Sequence, residues 1–168
     1  MASNRALGTV DVATGALYGA GAYLVGLVLT YVFVEAEVIE ELALYVSFID
    51  GFAGYQFGFL VAHELNVLTS PDVAGEYLPL TLLLAVVLVG AGYLAAGAAG
   101  GSRGSSGVRA GASIFVGYVV LALLGTAVAV LTFDGDVDAT DMIVKVVVTG
   151  LVYPAVFGAI GGALAANR

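Results

Sequence analysis

The chain has no cysteine, no tryptophan, a single histidine (His63), a single lysine (Lys145) and three prolines in 168 residues. Without cysteine there is no disulfide framework and no thiolate chemistry. One imidazole and no thiols argue against a zinc site built from the chain's own side chains. Basic residues are also scarce, five against thirteen acids, for a net charge of −8. The clustered Lys/Arg that bind nucleic acid or anionic lipid are therefore missing. There is no nucleophile elbow, HExxH, Walker loop or CxxC. The Gly/Ser stretch "GGSRGSSG" holds no lysine and reads as a flexible loop. Nothing calls for a catalytic residue, a cofactor or a metal, so the sequence reads as non-enzymatic.

What is present is apolar. Hydrophobic residues make up 61% of the chain and charged ones 11%, with mean hydropathy +1.06. A soluble domain is about 45–50% apolar and about 25% charged. The chain is an integral membrane protein by composition, and its first partner is the lipid bilayer. A helical span needs about 20 apolar residues. Four segments qualify, at about 12–34, 78–99, 110–133 and 142–166. They predict an all-α, antiparallel four-helix membrane bundle forming a single domain over 1–168. Residues 35–77 form an outer connection and 100–109 a cytoplasmic loop. Pro79 falls near the first turn of the second span, where a missing N–H costs nothing, and "Ser-Pro-Asp" at 70–72 reads as a capped turn before it.

The few basic residues orient the bundle. With four spans, Arg5, Arg103, Arg109 and Arg168 all fall on one side, as the positive-inside rule requires. Every acid except Asp11 falls on the other side. Both termini are expected in the cytoplasm, and the first span is too long for the apolar region of an ordinary cleavable signal. Acidic, lysine-poor exposed segments suit a protein facing concentrated salt, where repulsion is screened within a few ångströms.

The outer connection holds the most unusual stretch, "IDGFAGYQFGFLVAHELNV" (49–67). Its uncharged core between Asp50 and His63 is roughly 18 Å as helix, too short for about 30 Å of hydrocarbon. A fifth span would also put Arg103, Arg109 and Arg168 outside, so this segment does not cross. Before it, Glu35–Val46 has amphipathic spacing, with Val38, Leu42, Tyr45 and Ile49 opposite Glu37, Glu40 and Glu41. Within it, Phe48, Phe52, Tyr55 and Phe59 form an aromatic face beside a small-residue face of Gly51, Gly54, Gly58 and Ala62. These spacings predict an interfacial or half-inserted helix folded over the outer end of the bundle, with the glycines as its packing face. The sharper alternative is a re-entrant element lining a cavity. Asp50, His63, Glu64 and Asn66 are the candidate polar cluster, at the base of this cap.

Gly15/Gly19 and Gly158/Gly162 fit GxxxG, with packing inside one bundle the simpler use and a dimer seam the other. Pro154 deprives the Gly150 carbonyl of its helical donor and predicts a kink. Lys145, four residues after Asp141, is placed to pair with it. The span centres hold no charged residue, which counts against an ion-coupled transporter.

The segments "GASIFVGYVVLALLGTAVAV" (111–130) and "GLVYPAVFGAIGGALA" (150–165) resemble a family of small four-span membrane proteins from halophilic archaea. The long outer connection with a Gly/aromatic stretch is shared with that family. The resemblance implies a salt-adapted source and no mechanism, because its motifs are structural. The sequence thus favours an accessory or scaffold subunit, packing as a homo-oligomer or against a larger membrane protein. Its alternative is a small channel or transporter gated by the outer cap. The topology is checked by cysteines introduced at Ser105 and Asp136. A membrane-impermeant maleimide should label Asp136→Cys from outside and Ser105→Cys only after the membrane is opened.

Overall fold

A computed structural model describes residues 12–36, 43, 51–63, 71–100, 105–133 and 138–167. The described elements are all helical: α1 (Val12–Glu35), α2 (Phe52–Val61), α3 (Pro71–Ala98), α4 (Ser105–Ala112), α5 (Phe115–Thr132), α6 (Ala139–Val147) and α7 (Tyr153–Ala166). A π-helical turn, Val148–Val152, joins α6 to α7. Four stretches are long and apolar enough to cross a membrane: α1, Tyr77–Ala98 of α3, Ser105–Thr132 and Thr140–Ala166. They form the antiparallel bundle of a multi-pass membrane architecture. One end carries Glu35, Asp138 and Asp141 and the other carries Arg109; they are called the acidic and arginine ends below.

The bundle is packed small side inward. Leu17, Val86, Leu131 and Ile143 are 64% to 85% exposed on its surface, whereas α1 buries Gly15, Gly19, Ala22 and Gly26. In lipid a leucine gains little by leaving the surface, so helices associate where small residues let backbones meet. A Cβ on Gly19 would stand 1.8 Å from the Ile114 carbonyl, and one on Gly117 1.8 Å from that of Ala16. On the opposite side, Gly158 and Gly162 meet Gly111 and Gly107, and Gly92 meets Gly158. Both GxxxG pairs are therefore spent on contacts inside the bundle.

Two spans are interrupted. The third breaks at Ser113–Ile114, between α4 and α5, where the Ser113 hydroxyl donates to the Ala110 carbonyl at 2.6 Å. The fourth breaks at the π turn, where Tyr153 N–H reaches back to the Val148 carbonyl. Pro154 follows immediately and has no N–H to give, so the expected disturbance takes the form of a π turn. At the acidic end, the Asp138 carboxylate caps α6 by accepting from Thr140 and Asp141 N–H at 2.8 and 3.2 Å. Lys145 pairs with Asp141 at 2.9 Å, one turn outward.

Two boundaries differ from those read off hydropathy. The second membrane helix starts at Pro71, so Pro79 lies two turns inside it rather than near its first turn. The expected turn is thus helix from Pro71 on, with Ser70 outside the described residues: Pro71 takes a first-turn position that needs no N–H, and polar Asp72 and Glu76 extend the helix beyond its apolar part. Helix also begins at Ser105, within the stretch expected to be loop.

These contacts separate glycines by role. Gly117→Ala should cost about 1–3 kcal/mol by forcing two backbones apart. Gly90, with nothing within 4 Å of its Cβ position, should tolerate alanine or gain up to about 1 kcal/mol of helix propensity. Thermal unfolding of the two variants in one detergent checks the contrast.

Candidate functional site

Helix α2 does not lie across the acidic end. Gly51, at φ +67°, turns the chain into the helix, a conformation that a side chain disfavours. Phe52 is 43% exposed, Tyr55 is half-buried and Phe59 is 0% exposed. The three share one face at increasing depth, so the helix runs into the bundle. Gly54 and Gly58 are buried, and so are Ala53, Gln56, Phe57, Leu60, Ala62 and His63. A helix apolar and buried on every side belongs to a core. The helix is half-inserted, and Ala53 is as enclosed as the glycines. Phe48, Asp50, Glu64 and Asn66 lie outside the described residues, as does most of the amphipathic stretch before α2.

The depth of insertion follows from the neighbours. The Phe59 ring and Leu84 occupy the space left by Gly26, near the middle of α1. The His63 ring meets Phe59, Tyr118 and Tyr153 with centroids at 4.7, 6.4 and 5.2 Å. Tyr118 and Tyr153 stand near the centres of the third and fourth spans. The end of α2 is therefore at mid-bundle, which makes it a re-entrant helix.

Its exposed backbone is closed by side chains. The Thr81 hydroxyl donates to the Ala62 carbonyl at 2.9 Å. His63 Nδ1 stands 2.8 Å from the Phe59 carbonyl, an oxygen that only accepts, so Nδ1 carries the proton. Nε2 is then the acceptor for the Tyr118 hydroxyl at 3.3 Å. The ring is neutral and held in one tautomer.

A second polar line lies nearer the acidic end. The Tyr23 hydroxyl donates to Gln56 Oε1 at 2.5 Å, and Gln56 Nε2 donates to the Thr126 hydroxyl at 3.3 Å. A Cβ on Gly125 would stand 2.3 Å from the Tyr23 hydroxyl, so this glycine makes room for the line. At the rim, Tyr55 donates to the Glu35 carboxylate, which pushes the phenol up to about 12. Thr126 also floors a lipid-facing groove of about 510 Å³, lined otherwise by Leu123, Val130, Met142, Val146 and other apolar residues of α5 and α6. Among the described residues no group of three His, Asp or Glu could hold a metal.

Sequence reasoning selected His63; Gln56 lies seven residues before it on the same helical face and is buried with it. That reasoning missed Tyr23, Tyr118, Tyr153, Thr126 and Thr149. The available signal was position: tyrosine favours the membrane interfaces, and three of these tyrosines fall at span centres, where a hydroxyl needs a partner.

A model for a family of unknown function (DUF7978) matches residues 2–168. The chain belongs to the DUF7978 family. No curated protein and no solved structure matches it. The features above are thus those of one DUF7978 chain: four apolar spans, two of them interrupted, around a re-entrant helix.

Tyr23→Phe should leave Gln56 Oε1 without its donor inside the bundle. The expected loss is about 1 kcal/mol. Thermal unfolding of Tyr23→Phe and of the Tyr23→Phe/Gln56→Leu double variant checks it: the double variant should recover part of the loss, because the orphaned amide is gone.

Proposed function

We propose that the protein is a non-enzymatic channel or transporter for a small polar solute or ion, with its central site at the end of α2. The observation that carries this reading is a re-entrant helix ending at mid-bundle, beside two membrane helices that are themselves broken. Backbone that neither crosses nor stays regular is tolerated at membrane depth where it lines a path or a site, and broken helices mark substrate sites in many transporters. A buried ionisable residue inside a membrane bundle points the same way. His63 and Gln56 would contact the solute, with Tyr118 and Tyr23 holding them in place. In the closed arrangement these side chains satisfy one another, so passage requires them to exchange partners.

The accessory-subunit reading keeps support from one feature. The Tyr23–Gln56–Thr126 and His63–Tyr118 pairs are mutually satisfied and would equally serve as a lock for a purely structural bundle. In either role we place the chain in the cell membrane of a salt-adapted organism with both termini cytoplasmic, on the strength of its arginine distribution and acidic balance.

Purified protein in liposomes separates the readings. Sodium, rubidium and proton fluxes should exceed those of protein-free vesicles, and His63→Ala should change them several-fold while leaving the detergent-solubilised protein folded. Absence of flux, together with a stoichiometric partner on purification from native membranes, would support the subunit instead.

A further inference from the structure

The π turn holds a residue that neither polar line uses. Thr149 is 1% exposed, and its hydroxyl oxygen has no hydrogen-bond partner. Such atoms are rare in folded proteins and each calls for an explanation. A threonine inside a helix ordinarily donates back to a carbonyl one turn earlier, as Thr30 does to Gly26 at 3.1 Å. Thr149 does not.

Its own carbonyl is also left over. The usual donor, Tyr153 N–H, is diverted to the Val148 carbonyl. The next donor along the helix would be residue 154, which is proline. The Thr149 carbonyl thus lacks both its α-helical and its π-helical partner. One residue thus presents a hydroxyl without a partner and a carbonyl without its helical donors, near the centre of a membrane bundle.

The surroundings fix the sign of what would satisfy them. Val146, one turn earlier, belongs to the buried cluster that holds Phe57 and Leu60 of α2. Tyr153, one turn later, meets the ring of His63. Thr149 therefore stands level with the last turn of α2, whose C-terminal end carries about half a negative elementary charge. Lys145, a turn further out, is directed to Asp141, and Arg109 lies at the arginine end. A buried anion would find no positive group here. A divalent ion would lack carboxylates, since no His/Asp/Glu trio is present among the described residues. Neutral oxygens, hydroxyl and carbonyl together, are the ligands that hard monovalent cations take when stripped of water.

We infer that Thr149 and the π turn form part of a binding site for a desolvated monovalent cation, level with the last turn of α2. This deepens the channel or transporter reading, since it names the ion class of the same centre. Thr149 supplies two ligand oxygens, and Pro154 keeps one of them free by having no N–H to offer. The acidic end concentrates the ion: the carboxylates of a chain with net charge −8 raise the local density of cations.

Equilibrium binding tests the site without any flux. Thermal unfolding of the detergent-solubilised full chain is measured in sodium, lithium and potassium chlorides and in N-methyl-D-glucamine chloride at one ionic strength. Screening is the same in all four, so the differences that remain are ion-specific, and the Thr149 and Pro154 variants assign them to the site. At least one alkali ion should raise the midpoint by a few degrees over N-methyl-D-glucamine. Thr149→Val should be at least as stable as the wild type in N-methyl-D-glucamine, because an unpartnered buried hydroxyl is gone, and should lose the alkali-ion increment. Thr149→Ser should keep it. Pro154→Ala, which returns an N–H to the turn, should reduce it and serves as the second variant if Thr149→Val fails to fold. Equal midpoints for the wild type in all four salts would overturn the site, as would an undiminished increment in the variant that reports. A bound ion without flux would retain the site and count against transport, whereas flux without an ion increment would do the reverse.

Discussion

A peptide group at hydrocarbon depth has no water to bond, and the arrangement around α2 follows from that constraint. Its last turn ends inside the bundle, where each open carbonyl costs several kcal/mol in lipid surroundings. The chain closes that end with its own nearby groups: His63 N–H reaches the Leu60 carbonyl at 3.1 Å, His63 Nδ1 the Phe59 carbonyl, and Thr81 the Ala62 carbonyl. His63 is thus first a helix cap, and its tautomer is set by that duty. The other side of its ring is turned to Tyr118 and Tyr153, with Nε2 facing the Tyr118 hydroxyl.

The socket for α2 is cut by glycine. Gly26 leaves the space that Phe59 fills, and Gly125 leaves the space where Tyr23 and Gln56 meet. Elsewhere glycine does the opposite and lets α3, α4 and α7 close on one another without a gap. The same residue therefore makes room at one level and removes it at another. What decides is whether the facing partner is an aromatic ring or a bare backbone.

The four spans and their alternation were legible in the sequence, because twenty apolar residues in lipid have few alternatives to a helix. The short helix in the outer connection was legible too, from the spacing of Phe52, Tyr55 and Phe59. Its depth was not, since a helix with apolar residues all round reads the same on a membrane surface and inside a bundle. What decides between them is the pair of pockets at Gly26 and Gly125, on helices distant in sequence. The start of the second membrane helix was missed because Asp72 and Glu76 are polar, and hydropathy ends where helix need not. Pro154 announced a disturbance in the fourth span. That it would be taken up as a π turn leaving Thr149 unsatisfied was not legible, because the turn packs at Gly150 against Val119 and Ala122 of α5, a contact between spans that no local pattern announces.

A re-entrant helix enters and leaves by the same side, so among the described residues the bundle holds five helices in one half of its height and four in the other. Its cross-section must taper. A tapered body displaces unequal areas of the two leaflets, and the bilayer's lateral pressure then acts differently on its two ends. Any rearrangement that moves α2 outward changes the area taken from one leaflet only. The energy of that step is set in part by the elastic state of the surrounding membrane, including its thickness, curvature and tension.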